Sequence, residues 1–416
     1  MPAERPALLS LDEALLRLAE GAAAARIRET ETVSGFEALG RVLAEDVLAL
    51  VDVPPADNSA MDGYALRAGD VAQAGTVLPV SQRIPAGVVG EPLTPGTAAR
   101  IFTGAQVPPG ADAVVMQEQC EALQGAVRIN TVPQAGQAIR RRGEDVQRGA
   151  VVLVAGARLT PQALGLAASV GAGRLTVLRR PRVALLSSGD ELAMPGETPP
   201  HALKPGAIYN SNRFTLRGLL QAAGCEVTDL GIVPDQLPAT RDALRRAAEG
   251  HDLIVSTGGV SVGEEDHLKP AVQAEGSLDL WQMAMKPGKP LAFGRVRRAS
   301  GGEALFLGLP GNPVSSFVTF VLAGRAVLNA LQGRDVALPP ALQVRAEFDW
   351  PKADPKRREF LRVQTSESGG VRLFSNQGSG VLTSAVWSTG LVDLAPGTIV
   401  KQGDLVLYRS LAELMA

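Results

Sequence analysis

A chain of 416 residues exceeds what one hydrophobic core usually supports, so the length predicts about two to four domains. Apolar residues make up 45% of the chain and charged residues 20%, which is the composition of a globular protein rather than a disordered one. The formal net charge of -2 gives no general attraction to nucleic acid, so nucleic acid is not an expected partner. Cys120 and Cys225 lie far apart and match neither a disulfide framework nor a zinc site.

The apolar segments indicate no membrane partner. Residues 1–18 carry acids and helical apolar spacing, whereas a signal peptide has a basic segment followed by an apolar one. Residues 317–330 form the most apolar late segment, which is interrupted by Arg325 and is too short to span a bilayer. We therefore expect a cytoplasmic protein.

The N-terminal residues predict an amphipathic helix. Ser10 and Glu13 have the spacing of a capping box, and the apolar residues that follow recur on one helical face. Ser34 and Glu37 repeat the capping-box spacing. Both pairs predict helix starts in a mainly helical first domain.

Short β-type runs separated by proline and glycine turns fill residues 51–139. The clearest runs are 77–80, 100–102 and 113–116. A helix returns after them, with Thr160 as the N-cap, Pro161 as the first helical residue and Gly171 as the stop. Because helical segments flank the β region on both sides, we interpret it as an insertion into a discontinuous first domain.

From Arg182 onwards, predicted strands alternate with helices, which is the pattern of a mainly parallel sheet covered on both faces. The predicted strands are 183–186, 226–233, 253–256 and 304–307. The predicted helices are 213–223, 239–248, a shorter helix after Asp266, and 313–331. Pro339 and Pro340 then mark a linker, and the alternating apolar and polar residues beyond it predict a small β barrel.

The predicted fold class is therefore multidomain α/β plus β. Its parts are a discontinuous N-terminal helical domain over residues 1–50 and 140–180, an inserted small β domain over 51–139, a central α/β domain with a mainly parallel sheet over 181–332, and a C-terminal β barrel over 338–416.

Carboxylates follow three of the predicted strands. Asp190 and Glu191 follow the first strand, Asp235 follows the second, and Asp266 lies beyond the third. Open α/β sheets bind ligands at the carboxyl ends of their strands, so we expect these acids to meet at one edge. They suit a Mg²⁺ ion that bridges phosphate oxygens, because carboxylates close to phosphate would repel it without a metal.

Glycine-rich turns are expected at the same edge, since a backbone without Cβ atoms can approach a phosphate closely. They comprise Gly258, Gly259, Ser261 and Gly263 after the third strand, and Pro310, Gly311, Asn312, Pro313 and Ser315 after the last. Asn312 as N-cap and Pro313 as first helical residue would open a helix toward the site with free N–H groups, which favours an anion. Lys286 and Lys289, held between prolines, suit a small oxyanion.

Taken singly, these motifs leave structural alternatives open. The Asp62-Gly63 pair alone is typical of a plain turn. Residues 257–263 lack a Walker lysine, so they fit a phosphate loop and a tight strand-to-helix connection equally well. Asp235 fits a helix cap as well as it fits a metal ligand.

Taken together, seven motifs occur in the order of one known family. They are DNSAMDGYA at 57–65, FTGA at 102–105, RGED at 142–145, SGDEL at 188–192, STGGVSVG at 256–263, MKPGKP at 285–290 and LPGNPVS at 309–315. Each motif is modest, but the ordered set is specific. The sequence resembles the molybdopterin molybdenumtransferases, the family of MoeA and the gephyrin E-domain.

The resemblance implies an elongated four-domain homodimer whose active site draws residues from both subunits, with an α/β domain of the molybdopterin-binding type. It implies adenylylated molybdopterin and molybdate as substrates, Mg²⁺ as cofactor in pyrophosphate cleavage, and release of AMP in the final step of molybdenum cofactor biosynthesis. It further implies transient contact with other proteins of cofactor biosynthesis.

The resemblance also assigns roles by motif. The residues that would bind Mg²⁺ or transfer protons at the pyrophosphate are Asp190, Glu191, Asp235 and Asp266. The residues that would surround molybdate or the anionic groups of the substrate are Lys286, Lys289, Ser315, Arg362 and Ser379. Asp62 and Thr103 would reach the cleft of the partner subunit. Gln282 stands where the family commonly has a lysine, so one positive charge is missing there.

Three other functions stay open on the sequence alone. A molybdopterin adenylyltransferase would share the α/β domain but would not need the terminal modules. A non-catalytic scaffold of the gephyrin type would not need Asp190 or Asp266. A dinucleotide oxidoreductase is disfavoured, because Gly171 and Gly173 follow a helical segment rather than a strand.

Overall fold

The capping box at Ser10 starts the first helix, α1 (Leu11–Ala23), in a computed structural model that describes residues 8–259 and 267–415. Ser10 Oγ accepts from the Glu13 N–H group at 3.2 Å, and the Glu13 carboxylate accepts from the Ser10 N–H group at 3.0 Å. This confirms the predicted helix start. The buried residues of α1 are Leu11, Ala14, Leu15, Leu18 and Ala22, and they share a hydrophobic core with the later α/β sheet.

The chain divides into two compact units, one of residues 31–177 and one of residues 1–30 with 178–416 as far as these are described. Residues 8–30 thus pack with the α/β sheet, whereas the sequence grouped all of 1–50 with 140–180. The exact domain boundaries stay predictions.

The unit of residues 31–177 is mainly β. Its elements are β1 (Thr30–Ser34), β2 (Val47–Leu48), β3 (Asn58–Ser59), β4 (Gly63–Leu66), β5 (Thr76–Ile84), β6 (Ala98–Ile101), β7 (Ala113–Met116), β8 (Cys120–Leu123), β9 (Ala126–Ile129), β10 (Ile139–Arg140), β11 (Val151–Leu153), α2 (Pro161–Ser169) and β12 (Arg174–Leu178). One six-stranded sheet has the order β7-β4-β6-β5-β9-β8, and β1 pairs with β12 and β2 with β11. Strands before and after the six-stranded sheet therefore pair with each other, as an inserted β domain requires.

The two further start signals in this unit have different outcomes. Thr160 Oγ1 accepts from the Ala163 N–H group at 3.2 Å and caps α2, as predicted. Ser34 caps only a short 3-10 turn, Gly35–Glu37, by accepting from the Phe36 N–H group at 3.3 Å. The prediction of a helix there was wrong, because a capping signal does not supply the apolar face that a longer helix must bury.

The α/β region contains β13 (Arg182–Ser188), β14 (Leu192–Ala193), β15 (Ile208–Tyr209), α3 (Ser211–Ala222), β16 (Glu226–Val233), α4 (Leu237–Ala248), β17 (Leu253–Thr257), α5 (Leu268–Glu275), β18 (Gly276–Gln282), β19 (Met285–Lys286), β20 (Pro290–Arg297) and β21 (Glu303–Leu309). Its sheet has the order β16-β13-β17-β21-β20-β18. β16, β13, β17 and β21 are parallel, as predicted. β20 and β18 were missed, and they extend the sheet as an antiparallel edge.

A long buried helical segment follows β21. It comprises α6 (Pro313–Thr319), a π-helical turn (Phe320–Gly324) and α7 (Arg325–Leu331). These 19 residues are long and apolar enough to cross a membrane, which corrects the view that the segment is too short. However, 89% of the apolar window lies buried inside the protein, as in the core helix of a folded domain.

The C-terminal residues form a second sheet around a separate core. Its elements are β22 (Leu342–Arg345), β23 (Arg358–Thr365), β24 (Val371–Leu373), α8 (Leu382–Trp387), β25 (Gly390–Leu394), β26 (Leu405–Ser410) and α9 (Leu411–Leu414). The sheet has the order β19-β23-β25-β26-β22, and β24 pairs with β23. Ala346, which follows β22, forms a bridge with Val371 of β24. That bridge is compatible with the predicted barrel, whose closure stays a prediction.

A buried ion network stabilises this C-terminal sheet. Asp393 of β25 accepts from Arg358 Nε at 2.6 Å and from Arg409 Nε at 2.7 Å, and its side chain is 2% exposed. Burial raises the pKa of Asp393, but the hydrogen bonds from Arg358 and Arg409 outweigh burial and leave the pKa below its usual value. Folding therefore favours the ionised carboxylate.

We expect Asp393→Asn to destabilise the protein by about 3 kcal/mol at pH 7, because it removes the buried charge that two partly buried guanidinium groups share. The folded pKa is the lower one, so this stabilisation is complete above the unfolded pKa of about 3.9 and is lost as the pH falls toward the folded value. Urea unfolding at several pH values should show the two proteins converging below about pH 4. The exposed Glu367→Gln is the control, and an Asp393→Asn effect as small as the control would contradict the network's role.

Candidate functional site

The carboxyl ends of three neighbouring parallel strands meet at one edge of the α/β sheet. β13 pairs with β17 through Ser187 and Thr257, and β17 pairs with β21 through Thr257 and Leu309. Because these pairs stand in register at the strand ends, the three following turns leave the sheet side by side. The edge predicted from the sequence is therefore present.

A cavity of about 540 Å³ lies at this edge. The predicted site residues that line it are Glu191, Asp235, Gly258, Gly259, Pro310, Gly311, Asn312 and Ser315. Its lining, as far as the chain is described, contains two carboxylates and neither lysine nor arginine. An anionic ligand would therefore meet net negative charge unless a cation accompanies it.

The other predicted acids are placed differently. Asp190 Oδ1 accepts from the Asp235 N–H group at 3.3 Å, so Asp190 lies beside the cavity without being part of its lining. Gln236 occupies the N-cap position of α4, so Asp235 is not the helix cap. Asp266, together with Ser261 and Gly263, falls outside the described residues. Among residues 8–259 and 267–415, no group of three His, Cys, Asp or Glu side chains forms a metal site.

Glycine is structurally required in the turn after β17. Gly258 has φ +83°, and a Cβ atom there would lie 2.5 Å from the Ser188 carbonyl oxygen. Gly311 lies across from it, since its own Cβ would be 3.9 Å from Gly258 Cα. The two glycine turns thus approach each other backbone to backbone.

The start of α6 is less open than the sequence predicts. Asn312 occupies the N-cap position, but its side chain makes no capping hydrogen bond to the described residues. Pro313 has no N–H group, and the Val314 N–H group donates to the Ser379 carbonyl at 2.9 Å. The expectation of several free N–H groups here is therefore wrong for the first two helical residues. Ser315, at 5% exposure, lines the cavity at this helix start.

The two loop lysines have different environments. Lys286 Nζ donates to Glu359 Oε1 at 3.0 Å, and Glu359 is 2% exposed. The other Glu359 oxygen accepts from Trp350 Nε1 and the Asp354 N–H group at 3.0 and 2.9 Å. Lys289 is exposed and forms no ion pair within the described part of the chain. Neither lysine lines the cavity, although Pro290 of the same loop and Ser315 of the predicted oxyanion residues do.

Arg362 is a buried guanidinium rather than an open anion contact. It is 1% exposed and donates to the Phe360 and Gly378 carbonyls at 3.1 and 3.3 Å and to Ser384 Oγ at 3.2 Å. Burial lowers the pKa of Arg362 to about 10, and no carboxylate among the described residues pairs with it. Arg362 thus holds the turn that carries Ser379, whose carbonyl meets the start of α6.

Asp62 and Thr103 pair with each other in the unit of residues 31–177. The Thr103 N–H group and Oγ1 both donate to Asp62 Oδ1, at 2.8 and 2.7 Å. These two bonds, that of the backbone first, lower the pKa of Asp62. The pair is exposed and keeps an ionised carboxylate on the surface of its unit.

Sequence reasoning missed three residues of the cavity lining, which lie outside the seven motifs: Ile208, Asn210 and Asn212. Asn210 is the N-cap of α3, accepting from the Arg213 N–H group at 3.2 Å. The capping pattern at Asn210 was visible in the sequence, but the pairing of β14 with β15 that turns α3 toward the cavity was not.

Comparison with known proteins identifies the family. The family models described as MoeA N-terminal region (domain I and II), probable molybdopterin binding domain, and MoeA C-terminal region (domain IV) match residues 9–171, 184–330 and 343–411. The molybdopterin molybdenumtransferase of Haemophilus influenzae is 39% identical, over 88% of this chain and 90% of that protein. The chain belongs to the molybdopterin molybdenumtransferase family. It is therefore a transferase of molybdenum cofactor biosynthesis.

Further relatives agree with this membership. The Bacillus subtilis molybdopterin molybdenumtransferase is 34% identical, over 89% of this chain and 87% of that protein. The crystal structure of the MoeA molybdopterin biosynthesis protein of Pyrococcus horikoshii has a TM-score of 0.80 at 30% identity, covering 97% of this chain and 99% of that one. The resemblance drawn from the seven motifs is confirmed, and so is a MoeA-like fold.

The glycine turns yield a matched pair of variants. Gly258→Ala should destabilise the protein by about 1–3 kcal/mol, because the new Cβ would clash with the Ser188 carbonyl in a left-handed backbone conformation. Gly311→Ala should change stability by less than about 0.5 kcal/mol, because its Cβ meets only Gly258 Cα at van der Waals distance. Urea unfolding midpoints measure both. Equal midpoints for the two variants would show that the close approach at Gly258 does not constrain the turn.

Proposed function

We propose that this molybdenumtransferase inserts molybdate into adenylylated molybdopterin and releases AMP, and that the cavity at the carboxyl edge of the α/β sheet is where the pyrophosphate is cleaved. The observation that carries the proposal is the convergence of Glu191, Asp235 and both glycine turns on one cavity. The proposal includes a cytoplasmic location, which subcellular fractionation would test.

The glycine turns would hold the pyrophosphate. Gly258 and Gly311 place adjacent stretches of bare backbone in the cavity lining, and Ser315 adds a hydroxyl group at the start of α6. Backbone N–H groups in such turns can point at phosphate oxygens without steric obstruction. The described lining has two carboxylates and no basic side chain, so a cation must compensate the phosphate charge.

The donor set fits Mg²⁺ as that compensation. Mg²⁺ is usually bound by one or two carboxylates together with substrate phosphates, rather than by a complete protein cage. Glu191 and Asp235 supply two carboxylates in the lining, and Asp190 lies one hydrogen bond from the Asp235 backbone. When bound, the ion would neutralise charge on the pyrophosphate. The residues proposed to hold it are Asp190, Glu191, Asp235 and Asp266.

Molybdate would meet the lysine loop and the C-terminal turn. Lys286 and Lys289 carry the positive charges, and Ser379 lies in the turn that Arg362 holds through the Gly378 carbonyl. Because Arg362 is buried, we propose that it positions this turn instead of contacting molybdate in the state described. Lys286 is already paired with Glu359, so Lys289 provides the less compensated charge.

Purified protein supplied with adenylylated molybdopterin, molybdate and Mg²⁺ should release AMP and form molybdenum cofactor. EDTA should stop AMP release and added Mg²⁺ should restore it, since the cavity lining has no cation of its own. Asp235→Asn should slow AMP release by at least about tenfold, because it removes one of the two lining carboxylates. Asp242→Asn, outside this cavity, is the matched control. Undiminished AMP release in chelator would refute the metal assignment, and ATP-dependent adenylylation of molybdopterin instead would favour the adenylyltransferase alternative.

Substitutions of the two lysines should have different effects on molybdate binding and on stability. Lys289→Ala should raise the half-saturating molybdate concentration by about tenfold or more without loss of stability, because one charged hydrogen bond contributes about 1.5–3 kcal/mol. Lys286→Ala should raise it too, but should also lower the unfolding midpoint, since it leaves the buried Glu359 carboxylate without its partner. Molybdate titrations and urea unfolding measure the two effects, with exposed Lys352→Ala as control. Unchanged molybdate saturation in Lys289→Ala would remove it from the site.

We also propose a homodimer in which Asp62 and Thr103 of one subunit serve the cleft of the other. Equal amounts of Asp62→Ala and Asp235→Asn chains, each strongly impaired alone, should recover about a quarter of wild-type activity after subunit exchange, since half the dimers would then carry one intact site. Analytical ultracentrifugation would show whether the protein is a dimer. A fully active monomer, or an inactive mixture with demonstrated exchange, would contradict sites shared between subunits.

A further inference from the structure

Two asparagine side chains of the cavity retain unmet hydrogen-bonding capacity. Asn210 is 2% exposed and Asn212 is 9% exposed, and both line the cavity. Within the described structure, Asn210 Nδ2 and Asn212 Oδ1 are buried and have no hydrogen-bond partner. Buried polar atoms are normally paired, so each of these requires an explanation.

The other atom of each amide fixes which group is unpaired. Asn210 Oδ1 accepts from the Arg213 N–H group at 3.2 Å, and Asn212 Nδ2 donates to the Gly311 carbonyl at 2.7 Å. Exchanging oxygen and nitrogen in Asn210 would set two donors face to face, and exchanging them in Asn212 would set two acceptors face to face. The cavity wall therefore holds one unused amide donor and one unused carbonyl acceptor.

Two apolar residues lie beside these amides in the cavity wall, whose carboxylates are Glu191 and Asp235. Leu192 pairs with Ile208 in the β14–β15 ladder, and both side chains line the cavity. Asn210 follows directly, with its N–H group bonded to the Ala193 carbonyl at 2.9 Å. An ionised pyrophosphate that is esterified at both ends has only acceptor oxygens and could not satisfy Asn212 Oδ1. A flat heterocycle with an N–H group and a ring acceptor matches both amides and the apolar wall.

We propose that Asn210 and Asn212 recognise the donor–acceptor edge of a heterocycle in the substrate, with Asn212 accepting from a ring N–H or amino group and Asn210 donating to a ring acceptor. The proposal rests on the proposed function, because adenylylated molybdopterin carries two heterocycles of this kind, the pterin and the adenine. Asn212 also holds Gly311 through its amide nitrogen, so it links the heterocycle subsite to the glycine turn.

The test uses the full-length protein and isothermal titration calorimetry with three probes, namely 6-hydroxymethylpterin, adenosine, and pyrophosphate with Mg²⁺. Asn212→Leu keeps a similar side-chain size and removes the amide. It should weaken the binding of one of the two heterocycle probes by at least about tenfold while changing pyrophosphate binding by less than about twofold. The probe whose binding is weakened identifies whether pterin or adenine occupies the subsite.

Asn210→Asp provides a second variant whose helix cap is kept, so that its fold is maintained even if Asn212→Leu is unstable. It exchanges the unpaired donor for an acceptor and should weaken the binding of the same heterocycle probe. Equal weakening of all three probes by Asn212→Leu would overturn the proposal, because Asn212 would then act through Gly311 alone. Unchanged heterocycle binding in both variants, or no heterocycle binding by the wild type, would overturn it as well.

The same measurements distinguish this subsite from the proposed reaction. If the wild-type protein makes no cofactor but its heterocycle binding still depends on Asn212, the proposed function fails and the subsite stands. If cofactor is made at normal rates while heterocycle binding depends on neither asparagine, the proposed subsite is refuted and the proposed function stands.

Discussion

The register of the central parallel strands is the constraint on which the rest of the site depends. Along β13, Leu185 faces one hydrophobic core and Leu186 faces the other, so the strand is buried on both sides. A slip of one residue would exchange the two faces of the strand and disrupt both cores. Burial therefore fixes the strand pairing, and the pairing fixes which turns meet at the carboxyl edge.

Contacts between turns that are distant in sequence then shape the cavity. Gly258 lies against the Ser188 carbonyl, and Asn212 donates to the Gly311 carbonyl from the start of α3. Each contact joins the turn of one strand to the turn or helix of another. The cavity is therefore a product of the sheet's topology, and a change in one turn alters the walls formed by its neighbours.

Elements with a local sequence pattern could be predicted from the sequence, whereas features that depend on contacts between distant segments could not. The residues 226–233 and the capping box at Ser10 carry their own structural signal, and the structure has both as predicted. β18 was missed because this edge strand alternates apolar and polar residues and lacks the continuous apolar run of a buried parallel strand. β20 lies inside the sheet, and its short buried run, residues 291–294, was overlooked. Arg362 was expected at an anion because the family resemblance implied that role. Three neutral oxygens hold it instead, and no local pattern reveals them.

The electrostatics of the two regions differ in a way that bears on their chemistry. The cavity lining has carboxylates and no fixed cation within the described chain, so phosphate can be accommodated there only with a mobile cation. The lysine loop is tied to the C-terminal sheet through β19 and β23, and its Lys286 is held by a buried carboxylate. An ammonium group held in this way loses little ordering entropy if it binds an oxyanion. Lys286 lies in β19 of the C-terminal sheet and Lys289 directly precedes β20 of the α/β sheet, so the loop joins the two sheets while neither lysine enters the cavity lining. In the proposed reaction, cleavage at the cavity would then depend on Mg²⁺, because neither ammonium group stands where it could replace the ion.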